Sequence, residues 1–136
     1  MSMSYWGIVG YGVCVQDIEK YLNHPKVNRL VAEMNANTQF DEDVFEDYTF
    51  YGEPYSNFAE FLCELDETNS LIYDDNGNGE CYFMYAPKYP WSIKENDPKS
   101  YKDIDNRILK VLKQVCDATE EELRDKIDFI NTYGCG

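Results

Sequence analysis

Between Leu30 and Pro87 the sequence contains no lysine and no arginine. Histidine is nearly absent too: His24 stands alone, so no His-rich metal site and no pair of histidines for acid–base work is on offer. The five cysteines, Cys14, Cys63, Cys81, Cys116 and Cys135, are odd in number and include no C-x-x-C pair. That usage excludes a closed disulfide framework and a cysteine zinc site, and fits free thiols in a reducing compartment. No apolar run approaches the roughly 18 residues of a membrane span. The opening MSMSYWGIVGYG has no basic region ahead of an apolar one, so it does not read as a signal peptide. A cytoplasmic protein with no membrane contact is the expectation.

What is present is acid and aromatic rings. The net charge is −14, and its distribution is uneven. Residues 1–29 sum to +1 and residues 88–136 to −1, so the fourteen carboxylates between 30 and 87 account for the whole imbalance. Within that segment, FDEDVFEDYTFYGEPY (40–55) holds six carboxylates and six aromatic rings. A disordered acidic tail would be poor in rings, whereas aromatics make up 15% of these 136 residues. A folded single domain over 1–136, with an acidic central segment at 31–87, is expected.

Hydrophobic periodicity gives the elements. YWGIVGYGVCV (5–15) is β-branched and aromatic with interspersed glycines, the pattern of a central or bulged strand. A short helix over QDIEKYLN follows, and Pro25 opens the next, where Val27, Leu30, Val31 and Met34 form a stripe. Ser56 is the expected N-cap of a helix carrying Phe58, Phe61, Leu62 and Leu65. SLIY and ECYFMY, joined by DDNGNG, predict a hairpin near 70–85. Trp91 is expected to anchor the Pro-rich connector APKYPWSIKENDP. A helix after Pro98 carries Ile104, Ile108, Leu109, Val111, Leu112 and Val115. Thr119-Glu-Glu-Glu122 reads as a capping box opening a last helix, with Leu123, Ile127 and Ile130 inside and Gly134 as its stop. The sum is α+β: a small antiparallel sheet, made of the N-terminal strand and the hairpin, packed by four to five helices.

Catalytic motifs are scarce. G-x-x-G-x-G in GIVGYG reverses the dinucleotide fingerprint, and no Lys-Ser/Thr follows to make a phosphate loop. Asp74, Asn76, Asn78 and Gly79 match the first half of an EF-hand loop, yet Tyr85 stands where the bidentate glutamate belongs. Asp74, Asn76 and Asn78 define the one candidate metal site, with a polar hairpin tip as the alternative. The lysines of 99–113 alternate with acids, and the overall charge repels nucleic acid. Neither enzymatic activity nor a cofactor is expected.

The acidic segment carries the functional reading. Rings such as Phe45, Phe58 and Phe61 can anchor it while its carboxylates face water. Closely packed like charges are destabilising, so a segment without one compensating base points to a partner of opposite charge. A rigid carboxylate array resembles the phosphates of a duplex, and would fit the basic groove of a nucleic-acid-binding protein. The expected partner-binding residues are Asp41, Glu42, Asp43, Glu46, Asp47, Tyr48, Tyr51, Glu53, Glu60, Glu64, Asp66 and Glu67. In size, acidity and segregated carboxylates across about 33–80, the chain resembles the small nucleic-acid mimics of phages and mobile elements, anti-CRISPR and anti-restriction proteins among them. That resemblance implies inhibition of a nuclease by occupying its nucleic-acid or target-recognition site. An immunity or antitoxin protein facing a basic toxin would have the same composition, and a calcium or metal-dependent module is the alternative of another class. A merely solubilising acidic face is the plain alternative to all of these.

Overall fold

The computed structural model describes residues 4–34 and 53–136. Strand β1 (Tyr5–Cys14) is the spine of the molecule. It pairs antiparallel with β3 (Cys81–Tyr85) on one side and with β4 (Asp128–Cys135) on the other, and β3 pairs antiparallel with β2 (Ile72–Asp75). The order β2-β3-β1-β4 thus places β2 and β4 at the two edges. The observed fold is α+β, a four-stranded antiparallel sheet with five α-helices among the described residues.

The sheet curls until its edges touch at one corner. The Cys135 amide donates to the Asn76 carbonyl at 3.1 Å, and the Trp6 indole N–H donates to the Asp75 carbonyl at 2.9 Å. The first bond joins the end of β4 to the turn that follows β2, and the second ties β1 to the end of β2. Glycine in β1 permits the close approach: a Cβ on Gly12 would overlap the backbone of β3, and one on Gly10 would meet the Met84 sulfur at 2.6 Å. Inside the curl Ile8, Tyr82, Met84 and Ile130 form a small apolar cluster with Trp6 and Cys14.

The other side of the sheet carries the main core. Helices α1 (Val15–Ile18), α2 (His24–Met34), α3 (Glu53–Leu65), α4 (Tyr101–Leu112) and α5 (Glu120–Arg124) all contribute to it. Val13, Cys81 and Phe83 from the strands meet Val27, Val31, Phe58, Phe61, Leu62, Ile108 and Leu112 from the helices. The stripes predicted for α2 and α4 are the faces they bury. Ser100 caps α4 by accepting from the Asp103 amide, and the Thr119–Glu122 capping box is formed in both directions.

Four expectations are corrected. The last helix ends at Arg124, and residues 128–135, expected to continue it, form β4. Leu123, Ile127 and Ile130 have helical spacing, but Ile130, Thr132 and Gly134 equally alternate, and the β-branched and aromatic run FINTY completes the pairing of β1. The helix over 16–23 is instead one α-turn followed by a 3-10 turn, Glu19–Tyr21. Leu22 leaves it to form a bridge with Cys116. Helix α3 starts at Glu53 rather than after Ser56, because proline at position 54 is tolerated in a first turn. Finally, Trp91 is 81% exposed and stacks face to face on Tyr89, with ring centroids 4.9 Å apart. The connector is anchored by Asp97, which is only 3% exposed, holds the Lys88 ammonium at 2.9 Å and accepts from the Lys94 amide at 2.7 Å.

Candidate functional site

Helix α3 packs against β2 and β3, and this contact builds the acidic flank. Phe58, Phe61 and Leu62 turn inward and are fully buried, which leaves Glu60 and Glu64 on the outer side of the helix. Their charge is felt nearby. Burial, and then the carboxylates of Asp66, Glu60 and Glu64, push the Cys63 thiol up to about 12. The Tyr73 hydroxyl on β2 is likewise raised by desolvation, with Glu60 the largest charge acting on it. Asp74 and Asp75 end β2 on the same edge of the sheet, and burial raises the Asp74 carboxyl. Glu60 and Asp75 both act on Tyr73, so the structure brings these two carboxylates to one edge, with Asp74 next to Asp75 in β2 and Glu64 one turn along α3.

It does not bring all the expected residues there. Asp66 is 4% exposed and spends its carboxylate on the chain itself. Oδ1 accepts from the Thr68 amide and hydroxyl, and Oδ2 accepts from the amides of Ser70 and Leu71. Desolvation opposes its ionisation, but these hydrogen bonds outweigh that and hold the carboxyl below its usual range. Asp66 is a loop-organising group, not a partner-facing one. Glu67 is exposed and pairs with Lys110 at 3.3 Å. Asp41, Glu42, Asp43, Glu46, Asp47, Tyr48 and Tyr51 lie outside the described residues, and Glu53 begins α3 with its side chain outside them.

The DDNGNG loop folds as a hairpin tip. Asn76 Oδ1 accepts from the amides of Asn78 and Glu80, and Asp74 Oδ1 from that of Asp75. Gly77 and Gly79 take positive φ, 76° and 98°, which glycine alone adopts freely. Asp74 belongs to a strand, so the entering helix of an EF-hand is absent. The Asn76 oxygen needed for a cation turns onto the backbone, and no cluster of three or more acidic, histidine or cysteine ligands occurs among the described residues.

A second surface went unforeseen. Tyr11 of β1, Phe129 of β4 and Tyr101 of α4 form a three-ring cluster with centroids 5.0 to 5.3 Å apart. They wall a cleft of about 650 Å³ together with Val9, Tyr85, Pro87, Pro98 and Ile104. Desolvation, followed by the Asp105 carboxylate beside it, pushes the Tyr11 hydroxyl up to about 12. Tyr5 and Tyr133 extend the exposed rings along the same face, 6.4 Å apart. The alternation in GYG and FINTY is its sequence signal, and the helical spacing of Leu123, Ile127 and Ile130 masks it in the second run. No protein-family model, no curated protein and no solved structure matches this chain. No helix among the described residues is long and apolar enough to cross a membrane.

Proposed function

We propose that the protein is an acidic inhibitor whose acidic central segment, residues 31–87, occupies the basic nucleic-acid-binding or target-recognition groove of a nuclease or its complex. One observation carries this reading. Of the seven ion pairs among the described residues, only Lys110–Glu67 reaches into the base-free segment. The other six pairs join cations to acids outside that segment, and among the described residues Glu60 and Glu64 form no ion pair. Uncompensated carboxylates held on a rigid helix and strand edge suit a groove lined by lysine and arginine, where opposite potentials speed encounter. The protein acts in this reading by binding, and the competing ligand is the nucleic acid that the groove normally holds.

The test is capture of a basic nuclease from host lysate on the immobilised protein, eluted by salt and, separately, by duplex DNA. Two variants run beside it: one replaces Asp41, Glu42, Asp43, Glu46 and Asp47 by Asn or Gln, the other is Glu60→Gln with Glu64→Gln. Capture that falls at least about tenfold in the first variant, and less in the second, is the expected result. Equal capture by both variants and the native chain would overturn the proposal.

A further inference from the structure

The outer edge of β4 has a hydrogen-bonding pattern that can be derived from its pairing with β1. Ser4 and Gly136 exchange both backbone hydrogen bonds, at 2.8 and 3.0 Å. In an antiparallel ladder such pairs recur every second residue. With Tyr5 opposite Cys135 and Gly12 opposite Asp128, the even-numbered residues of β4 therefore turn their amides and carbonyls toward β1. Phe129, Asn131, Tyr133 and Cys135 turn theirs outward. Two independent contacts agree: the Cys135 amide reaches Asn76, and the Phe129 amide is taken by its neighbour's Asp128 Oδ1 at 2.7 Å. The amides and carbonyls of Asn131 and Tyr133 remain as a short open ladder among the described residues.

From Phe129 to Cys135 there is no charge and no proline. The opposite edge, β2, ends in Asp74 and Asp75 with Glu60 near Tyr73, and these carboxylates repel another acidic chain. Self-association is thus directed to β4 by charge as well as by open hydrogen bonds.

We propose that two copies of this chain join antiparallel through β4, about a two-fold axis at Asn131. In this register Asn131 exchanges two hydrogen bonds with Asn131 of the second copy. Phe129 faces Tyr133 of the second copy, and the reciprocal pair forms at the other end. Phe129 and Tyr133 are 65% and 66% exposed in the single chain and share the face of the sheet that carries the helices. Directly opposite aromatic residues stabilise a strand pair. The same three residues supply both sides, so the pattern selects a second copy over an unrelated strand. The joined sheet runs through eight strands. This dimer is independent of the partner proposed above.

The test is sedimentation of the full chain from low micromolar to millimolar concentration, in salt sufficient to screen the −14 charge of each copy. A monomer–dimer transition is expected, with the amides of Asn131 and Tyr133 exchanging slowly only in the dimer. Asn131→Pro removes one outward donor without touching the β1 ladder, and should leave a folded monomer at every concentration. Tyr133→Lys places a charge on the edge and should do the same. If Asn131→Pro fails to fold, Tyr133→Lys decides. A native chain that stays monomeric throughout, or a dimer that persists in the variants with freely exchanging edge amides, overturns the proposal.

Discussion

The indole of Trp6 covers Gly134, its register partner across the β1–β4 ladder. Any Cβ on Gly134 would overlap ring atoms Cε2, Cζ2 and Nε1. The same ring donates to Asp75, so it ties both edges of the sheet to the spine. Gly134→Ala should displace the indole and open this corner, at a cost of about 2–3 kcal/mol. Thermal melts followed by tryptophan fluorescence would measure it. Gly7→Ala, on the same strand with no heavy atom within 4 Å of the added methyl, should change stability by less than about 0.5 kcal/mol.

Acid should unfold the protein partly through Asp66. Its carboxyl is held below the usual range in the folded chain. The stabilisation is therefore complete above the unfolded value of about 4, and is lost as pH falls through the folded one. Asp66→Asn should flatten the acid limb of urea midpoints plotted against pH. Asp66→Ala, which strips the buried amides of Ser70 and Leu71 of their acceptor, should cost about 3 kcal/mol at neutral pH.

The alkaline limb has the opposite sign. Tyr11 is pushed up to about 12, first by desolvation and then by Asp105. Tyr82 is raised as well, by desolvation and by the Glu80 carboxylate to which its hydroxyl donates at 2.9 Å. Between pH of about 10 and 12 the folded chain holds protons that the unfolded chain releases, so stability falls as pH rises through that window. Denaturant midpoints at these pH values should drop less steeply in Tyr11→Phe.

Thiol labelling offers a further check. Burial pushes Cys14 up to about 11, and Cys63 and Cys116 up to about 12. Since the thiolate is the reacting form, these three should resist iodoacetamide at pH 8 in the native state. In urea they should label fully, as read by intact mass and peptide mapping. Rapid native labelling of Cys63 would contradict the packing of α3 against the sheet.

The elements that the sequence announced are those whose signal is local. Capping at Thr119, the stripe of α4 and the turn at DDNGNG each depend on residues a few positions apart, and all are present. The strand β4 depends on β1, more than a hundred residues away, and local spacing favoured the wrong period. Trp91 shows the same limit for side chains: a large ring in an apolar connector reads as an anchor, while the anchoring is done by a carboxylate, Asp97, that reads as surface. In the candidate site, the carboxylate count of the flank was legible, but the division of labour was not. Asp66 and Glu64 look alike in a row of acids, and only the loop amides around Asp66 distinguish them.

The β1–β4 pairing also fixes an order of events. The first strand of the chain is held by the last, with Trp6 opposite Gly134 and Gly12 opposite Asp128. Contacts of such high sequence separation slow folding, because a long loop must close before they are made. During synthesis the β4 side of β1 has no strand to pair with until residues 128–135 follow it. Ile130 of β4 closes the cluster that holds Ile8, Met84 and the Trp6 indole, so these are the apolar side chains that a late pairing of β4 leaves open to misassociation.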